Sequence, residues 1–128
     1  MKKTILILML VSLTHHSWAQ EANHEFSSAP ENVCYQIVQS QLGARWTFKI
    51  DKYNGKVFQL VKGKDGSVWQ MIYKNIHTQD EITQDKVNYQ IFTSALGARW
   101  TFLLNVNTGA TWQLTEDKKS GIFWTALE

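Results

Sequence analysis

The chain has 128 residues, of which 44% are hydrophobic and 12% aromatic. This length suits one compact domain with its own core and excludes two independent domains of ordinary size. The formal net charge of +2 lacks the strongly basic footprint that nucleic-acid binding requires, and a single cysteine excludes an intramolecular disulfide.

The first 19 residues have the features of a secretory signal peptide. Lys2 and Lys3 form a positive start, residues 5–13 are apolar, and Ser17 and Ala19 occupy the −3 and −1 positions of a cleavage site. The apolar run is shorter than the roughly 20 residues that span a bilayer. We therefore predict cleavage after Ala19, a periplasmic or secreted protein, and no membrane span in the mature chain, whose net charge would be zero.

A duplication follows a polar leader, residues 20–34, which we expect to be flexible. Residues 35–61 align with residues 89–115 at a constant offset of 54 residues, with 14 identical positions. The longest identical run is Leu-Gly-Ala-Arg-Trp-Thr-Phe, which starts at Leu42 and again at Leu96. The sequence therefore predicts one domain built from two repeats.

We call residues 35–75 copy one and residues 89–128 copy two, and an acidic connector, residues 76–88, joins them. Each copy shows short segments rich in β-forming residues, separated by turn signals such as Asn54-Gly55 and Thr108-Gly109. We predict strands at residues 35–40, 45–51, 56–62 and 67–73 of copy one and at residues 89–94, 99–105, 110–115 and 122–127 of copy two.

This pattern predicts an all-β fold made of two tandem four-stranded antiparallel meanders. Each meander has one apolar face that it cannot bury alone, so we expect the copies to pack these faces together as a sandwich or as an eight-stranded barrel. Trp46 with Phe48, and Trp100 with Phe102, are expected in the core.

Arg45 and Arg99 occupy the same position of the two copies, beside a tryptophan. One interpretation is structural: each guanidinium packs over an aromatic ring or binds a carbonyl or carboxylate group. The other is functional: the two arginines form a pseudo-symmetric pair that binds an anionic group between the copies. The sequence leaves both open.

Aromatic side chains are the other candidates for binding. Tyrosine and tryptophan exposed on a rigid β-scaffold stack on sugars or anchor a protein partner, although the same residues also build cores. The candidates of this kind are Tyr53, Trp69, Trp112 and Trp124.

Catalytic and cofactor signals are absent from the sequence. Asp51 corresponds to Asn105, and since both precede a turn, a hairpin cap explains either residue better than acid–base catalysis does. His24, His77 and Cys34 have no partners at the spacing of a metal site or a catalytic triad. We therefore expect no enzyme activity, no metal and no cofactor.

The hairpin segments, residues 51–60 and 105–114, resemble a D-x-x-T-G-x-x-W repeat. They are similar to the blade hairpins of quinoprotein-type β-propellers and to short repeats in small exported bacterial proteins. Propellers need at least four blades and this chain offers two, so the resemblance implies neither a complete propeller nor its cofactor.

The function expected from these features is that of a non-enzymatic binding or protein-interaction module of a bacterial envelope. Its partner would be an envelope or extracellular protein. The alternative is a glycan- or small-anion-binding domain that uses exposed tryptophan and tyrosine side chains or the Arg45/Arg99 pair.

Overall fold

The computed structural model describes residues 30–74 and 81–127. The predicted signal peptide, most of the leader and the first part of the connector lie outside these residues. Eight strands form a single sheet that curves into a nearly closed barrel, so the all-β prediction is confirmed and the barrel is the packing observed. The strands are β1 Tyr35–Gln39, β2 Thr47–Asp51, β3 Val57–Lys62, β4 Ser67–Lys74, β5 Tyr89–Phe92, β6 Phe102–Asn105, β7 Thr111–Asp117 and β8 Gly121–Leu127.

The strand order around the sheet is β1-β2-β3-β4-β8-β7-β6-β5. Neighbours within each copy are antiparallel, whereas β4 and β8 join the copies as a parallel pair. The end strands β1 and β5 approach each other where Ser40 Oγ donates a 3.0 Å hydrogen bond to the carbonyl oxygen of Ser94, its counterpart in copy two. We call this line between β1 and β5 the seam.

The identical run of the two copies contains a tight turn where the sequence predicted the start of a strand. Ala44–Trp46 and Ala98–Trp100 each form one turn of 3₁₀ helix, so the prediction that strands start at residues 45 and 99 is wrong. Gly43 precedes the first turn with a φ of 118°, a conformation that glycine adopts at little cost. The hydrogen bonds of the 3₁₀ turn therefore stabilise this segment more than the extended conformation that the alternating pattern suggested.

The core lies on the inner face of the barrel and draws on both copies. Phe48, Leu103 and Trp112 are completely buried, and each large apolar side chain of this kind contributes roughly 1.5–3 kcal/mol by leaving water. The remaining buried apolar residues are Ile50, Val57, Ile72, Tyr89, Ile91, Leu114 and Trp124.

The two copies bury opposite faces of the repeat. In copy one, Phe48 is on the inner face, but its counterpart Phe102 is on the outer face and only half-buried. In copy two, Leu103 is on the inner face, but its counterpart Lys49 is on the outer face. The expectation that Trp100 and Phe102 lie in the core is therefore wrong.

The parallel contact between β4 and β8 explains this inversion. Strands β4 and β8 are equivalent, parallel and adjacent, and the other strands of each copy follow outward from them in the same order. The axis of the rotation that superposes the copies is therefore parallel to the strands. Such a rotation turns the sheet over, so an inward position in one copy becomes an outward position in the other. The repeat thus places the same sequence pattern on two different surfaces.

Asn88, at the end of the connector, ties the two copies together from inside. Its side chain is fully buried. Its Nδ2 donates to the carbonyl oxygens of Tyr53 (2.8 Å) and Thr83 (2.7 Å), and its Oδ1 accepts a 2.6 Å hydrogen bond from Asn107 Nδ2. Because Tyr53 and Asn107 belong to the hairpin loops of different copies, one residue fixes both loops to the connector.

Neither described stretch of the chain, residues 30–74 or residues 81–127, includes a helix with the length and hydrophobicity of a bilayer span.

Candidate functional site

The 3₁₀ turns hold Trp46 and Trp100 in fixed positions on the two surfaces of the sheet. Gln59 Nε2 donates a 2.8 Å hydrogen bond to the carbonyl oxygen of Arg45, and Gln113 Nε2 makes the equivalent 2.7 Å bond to that of Arg99. The identical glutamines therefore anchor identical turns. One turn lies against the inner face and the other against the outer face.

A cleft of about 490 Å³ lies between these turns and strand β7. It combines two indole rings, a guanidinium and a carboxylate in one concave surface, to which both copies contribute. The lining residues are Trp46, Ala98, Arg99, Trp100, Gln113, Leu114, Thr115 and Glu116. We call this site the inter-copy cleft.

The two arginines are placed differently at this cleft. Arg45 stacks on Trp46, 4.8 Å from the ring centroid, and its Nη2 is 2.7 Å from Oε1 of Glu116. Arg99 stacks on Trp100 at 5.1 Å and lines the cleft directly. These contacts match the structural interpretation, because each guanidinium packs over an aromatic ring and Arg45 binds a carboxylate group that joins the copies.

An apolar cluster on the outer face of copy two adjoins the cleft. Phe102 packs against Phe92 with ring centroids 6.3 Å apart and against Trp100 at 6.5 Å. Phe92 is 62% exposed and Trp100 is 41% exposed. We call Phe92, Trp100 and Phe102 the aromatic patch. Trp100 belongs to both the patch and the cleft, so the two form one continuous surface.

Among the aromatic residues proposed from the sequence, Trp112 and Trp124 lie in the core with 0% and 1% exposure. Their rings face the interior, which removes them from the candidate binding surface. Trp69 and Tyr53 are half-buried and lie outside the inter-copy cleft. Of the residues proposed for binding, only Arg99 lines the cleft.

Asp51 and Asn105 have the structural role that their position before a turn indicated. Asp51 Oδ1 accepts hydrogen bonds from the backbone nitrogens of Tyr53 (3.0 Å) and Asn54 (3.2 Å). Asn105 Oδ1 accepts the equivalent bonds from Asn107 and Thr108 at the same distances. A side chain that caps its own hairpin in both copies needs no catalytic role to explain it.

The thiol of Cys34 lies against the same carboxylate. Its Sγ is 3.3 Å from Oδ1 of Asp51. Removal from water raises the pKa of Cys34, and the hydrogen bond and negative charge of Asp51 raise it further. Because the thiolate is the reactive form, this environment makes Cys34 a poor nucleophile.

Sequence reasoning missed Phe92, Gln113 and Glu116. The sequence did carry a signal at Phe92, because the equivalent residue of copy one is the smaller Val38. Two equally buried positions would be expected to hold side chains of similar size. The identity of Trp46 and Trp100 concealed the difference, since identical residues suggested identical surroundings.

Comparison with protein-family models, curated proteins and solved structures gives no match. The resemblance of the hairpins to propeller blades therefore stays a prediction.

Proposed function

We propose that this protein is an exported, non-enzymatic binding module that recognises another protein through the aromatic patch and the adjoining inter-copy cleft. The single observation that carries the proposal is the exposure of Phe92 and Trp100. At the equivalent positions, copy one packs Val38 and Trp46 against its core. Copy two presents the larger Phe92 and the identical Trp100 to solvent in their place.

A protein partner suits this surface better than a sugar does. Phenylalanine offers no hydrogen bonds to sugar hydroxyl groups, whereas clustered apolar side chains on a surface mark contacts with proteins. Tryptophan and arginine, the residue types that most often dominate binding energy, stand together at the junction of patch and cleft as Trp100 and Arg99. Glu116 and Gln113 supply a polar rim.

The proposal is tested by capture with matched variants. The chain from Gln20 onward is immobilised and exposed to an envelope extract of its source, and retained proteins are identified and quantified. We expect one protein at near equimolar ratio, with binding weakened at least about tenfold by Phe92→Ala and by Trp100→Ala, as for central anchor residues.

Tyr73→Ala is the matched control, because Tyr73 is 71% exposed but lies on the outer face of copy one. This variant should retain the partner as well as the original chain does. Circular dichroism and thermal melting must show that all variants stay folded. Equal retention by the patch variants and the control would contradict the proposal.

The second candidate is a glycan or small anion bound in the inter-copy cleft. It is favoured by the two indoles, Trp46 and Trp100, which share the cleft with the guanidinium of Arg99. In that case ligand should raise the melting temperature, and Arg99→Ala should remove this shift without unfolding the protein. Phe92→Ala should have no effect, since Phe92 does not line the cleft, and this result separates the two candidates.

A further inference from the structure

A second cleft, of about 410 Å³, lies at the seam between β1 and β5. Two pairs of equivalent residues of the repeat line it: Gln36 with its counterpart Gln90, and Lys52 with its counterpart Val106. The remaining lining residues are Glu31 and Val87. This seam cleft is distinct from the inter-copy cleft, because none of the described residues lines both.

Lys52 is held rigidly in the wall of the seam cleft. Its backbone nitrogen donates a 2.7 Å hydrogen bond to the carbonyl oxygen of Cys34. Its carbonyl oxygen accepts hydrogen bonds from the backbone nitrogens of Asn88 (2.8 Å) and Tyr89 (2.9 Å), which brings β5 to the seam. Only 6% of Lys52 is exposed, although lysine side chains normally extend into water.

The ammonium group of Lys52 has a main-chain carbonyl group as its partner. Its Nζ donates a 2.5 Å hydrogen bond to the main-chain oxygen of Glu31. Within residues 30–74 and 81–127, no carboxylate oxygen lies within 4 Å of it. Burying a charge is costly, and the carbonyl dipole together with the carboxylate of Glu31, which lines the same cleft at a distance beyond 4 Å, offsets only part of that cost. Valine at the equivalent position 106 shows that the repeat itself does not require a charge.

We propose that the seam cleft binds a small organic anion whose carboxylate or phosphate group pairs with Lys52. Gln90, which is exposed and lines the cleft, offers a side-chain amide that can donate and accept hydrogen bonds to the polar remainder of such a ligand. Val87 and Val106 provide its apolar wall. The volume lies within the range of small-molecule sites.

Three sugars with the same ring test the proposal: glucuronate, glucose 6-phosphate and neutral glucose. Binding to the purified protein is followed by changes in amide NMR signals, including the side-chain amides of Gln36 and Gln90. We expect one or both anions to bind at least about tenfold more tightly than glucose, which is about 1.4 kcal/mol. Preference for the carboxylate or for the phosphate identifies the anionic group, and inorganic phosphate alone shows how much the ring contributes.

Variants at the cleft distinguish ligand binding from a structural role of Lys52. Lys52→Met should abolish anion binding while keeping the fold, because the methionine fills a similar volume without a charge. Glu31→Gln should tighten anion binding by about threefold, since it removes a negative charge from the rim and leaves the main-chain acceptor of Lys52 intact. Arg99→Ala, in the other cleft, should change nothing.

The proposal is overturned if none of the anions binds, if glucose binds equally well, or if Lys52→Met binds anions like the original chain. These results would leave Lys52 as an anchor for the main chain at Glu31. None of them bears on the protein-binding surface, because the aromatic patch contributes no residue to the seam cleft.

Discussion

Thr47 and Thr101 show how one residue of the repeat acquires two different roles. Thr47 Oγ1 donates a 2.8 Å hydrogen bond to the carbonyl oxygen of Ala44, at the start of the first 3₁₀ turn. The hydroxyl of Thr101 is buried and has no hydrogen-bond partner within the described part of the chain. The same side chain is therefore expected to stabilise copy one and to destabilise copy two.

Replacing each threonine with valine, which has nearly the same shape, measures this difference. We expect Thr47→Val to lower the free energy of unfolding by about 1 kcal/mol, because a buried hydrogen bond is lost. Thr101→Val should raise it by about 1 kcal/mol, because an unpaired hydroxyl leaves the core. Urea denaturation of both variants gives the two values, and effects of the same sign and size would contradict the assigned surroundings.

At the scale of elements, the two hairpins share a cap but differ in what covers them. The β2–β3 and β6–β7 loops each close with a glycine of positive φ, 73° at Gly55 and 78° at Gly109. A Cβ atom on Gly55 would lie 2.8 Å from a ring carbon of Tyr89, whereas one on Gly109 would meet no atom within 4 Å. The first hairpin is thus packed against β5, and the second is open.

Alanine substitutions separate the backbone requirement from the packing. Gly109→Ala should lower the free energy of unfolding by about 1–2 kcal/mol, the cost of a left-handed conformation for a residue with a side chain. Gly55→Ala should cost this amount plus about 1–3 kcal/mol, because Tyr89 is fully buried and cannot move aside freely. Both values come from denaturant unfolding.

The double variant Gly55→Ala/Tyr89→Leu tests whether the extra cost comes from this ring. If it does, the effect of Gly55→Ala should be smaller in the Tyr89→Leu background than in the original chain. Equal effects of the two glycine substitutions would show that the hairpins are covered alike.

At the scale of the whole molecule, the sequence was sufficient to predict the turns and most strands but not which strands pair between the copies. Asn54-Gly55 and Thr108-Gly109 determine their hairpins locally, so the turns and most strands could be predicted. The pairing of β4 with β8 depends on contacts between residues such as Tyr73 and Phe123, which are far apart in the chain. No local sequence pattern predicts the pairing of β4 with β8.

The candidate site escaped sequence reasoning for the same reason. Arg99 was identified because it is repeated, but its place in the candidate site depends on its facing outward beside the exposed Trp100. Lys52 lies in the loop between two predicted strands, where lysine is usually exposed, and its burial follows only from the meeting of β5 with the first hairpin at the seam. Repetition predicts that two residues meet the same local demand, and it does not predict which surface each one faces.

The inversion of the two copies can be tested by exchanging residues between them. Leu103 is fully buried, whereas its counterpart Lys49 lies on the outer face, with its Nζ 4.7 Å from the ring centroid of Phe58. Leu103→Lys should lower the free energy of unfolding by more than about 4 kcal/mol, since it buries an unpaired charge. Lys49→Leu should change it by less than about 1 kcal/mol, because only the contact of the ammonium group with aromatic rings is lost.

Phe48 and Phe102 provide the reciprocal pair, because the same residue occupies both copies. Phe48→Asp should prevent folding, since it places a carboxylate group in the fully buried core. Phe102→Asp should leave a folded protein with a weakened aromatic patch, because Phe102 is only half-buried. Circular dichroism and thermal melting distinguish these outcomes. Equal effects of both pairs of substitutions in the two copies would mean that equivalent residues face the same side of the sheet. In that case neither the exposed aromatic patch nor the parallel pairing of β4 with β8 could be correct.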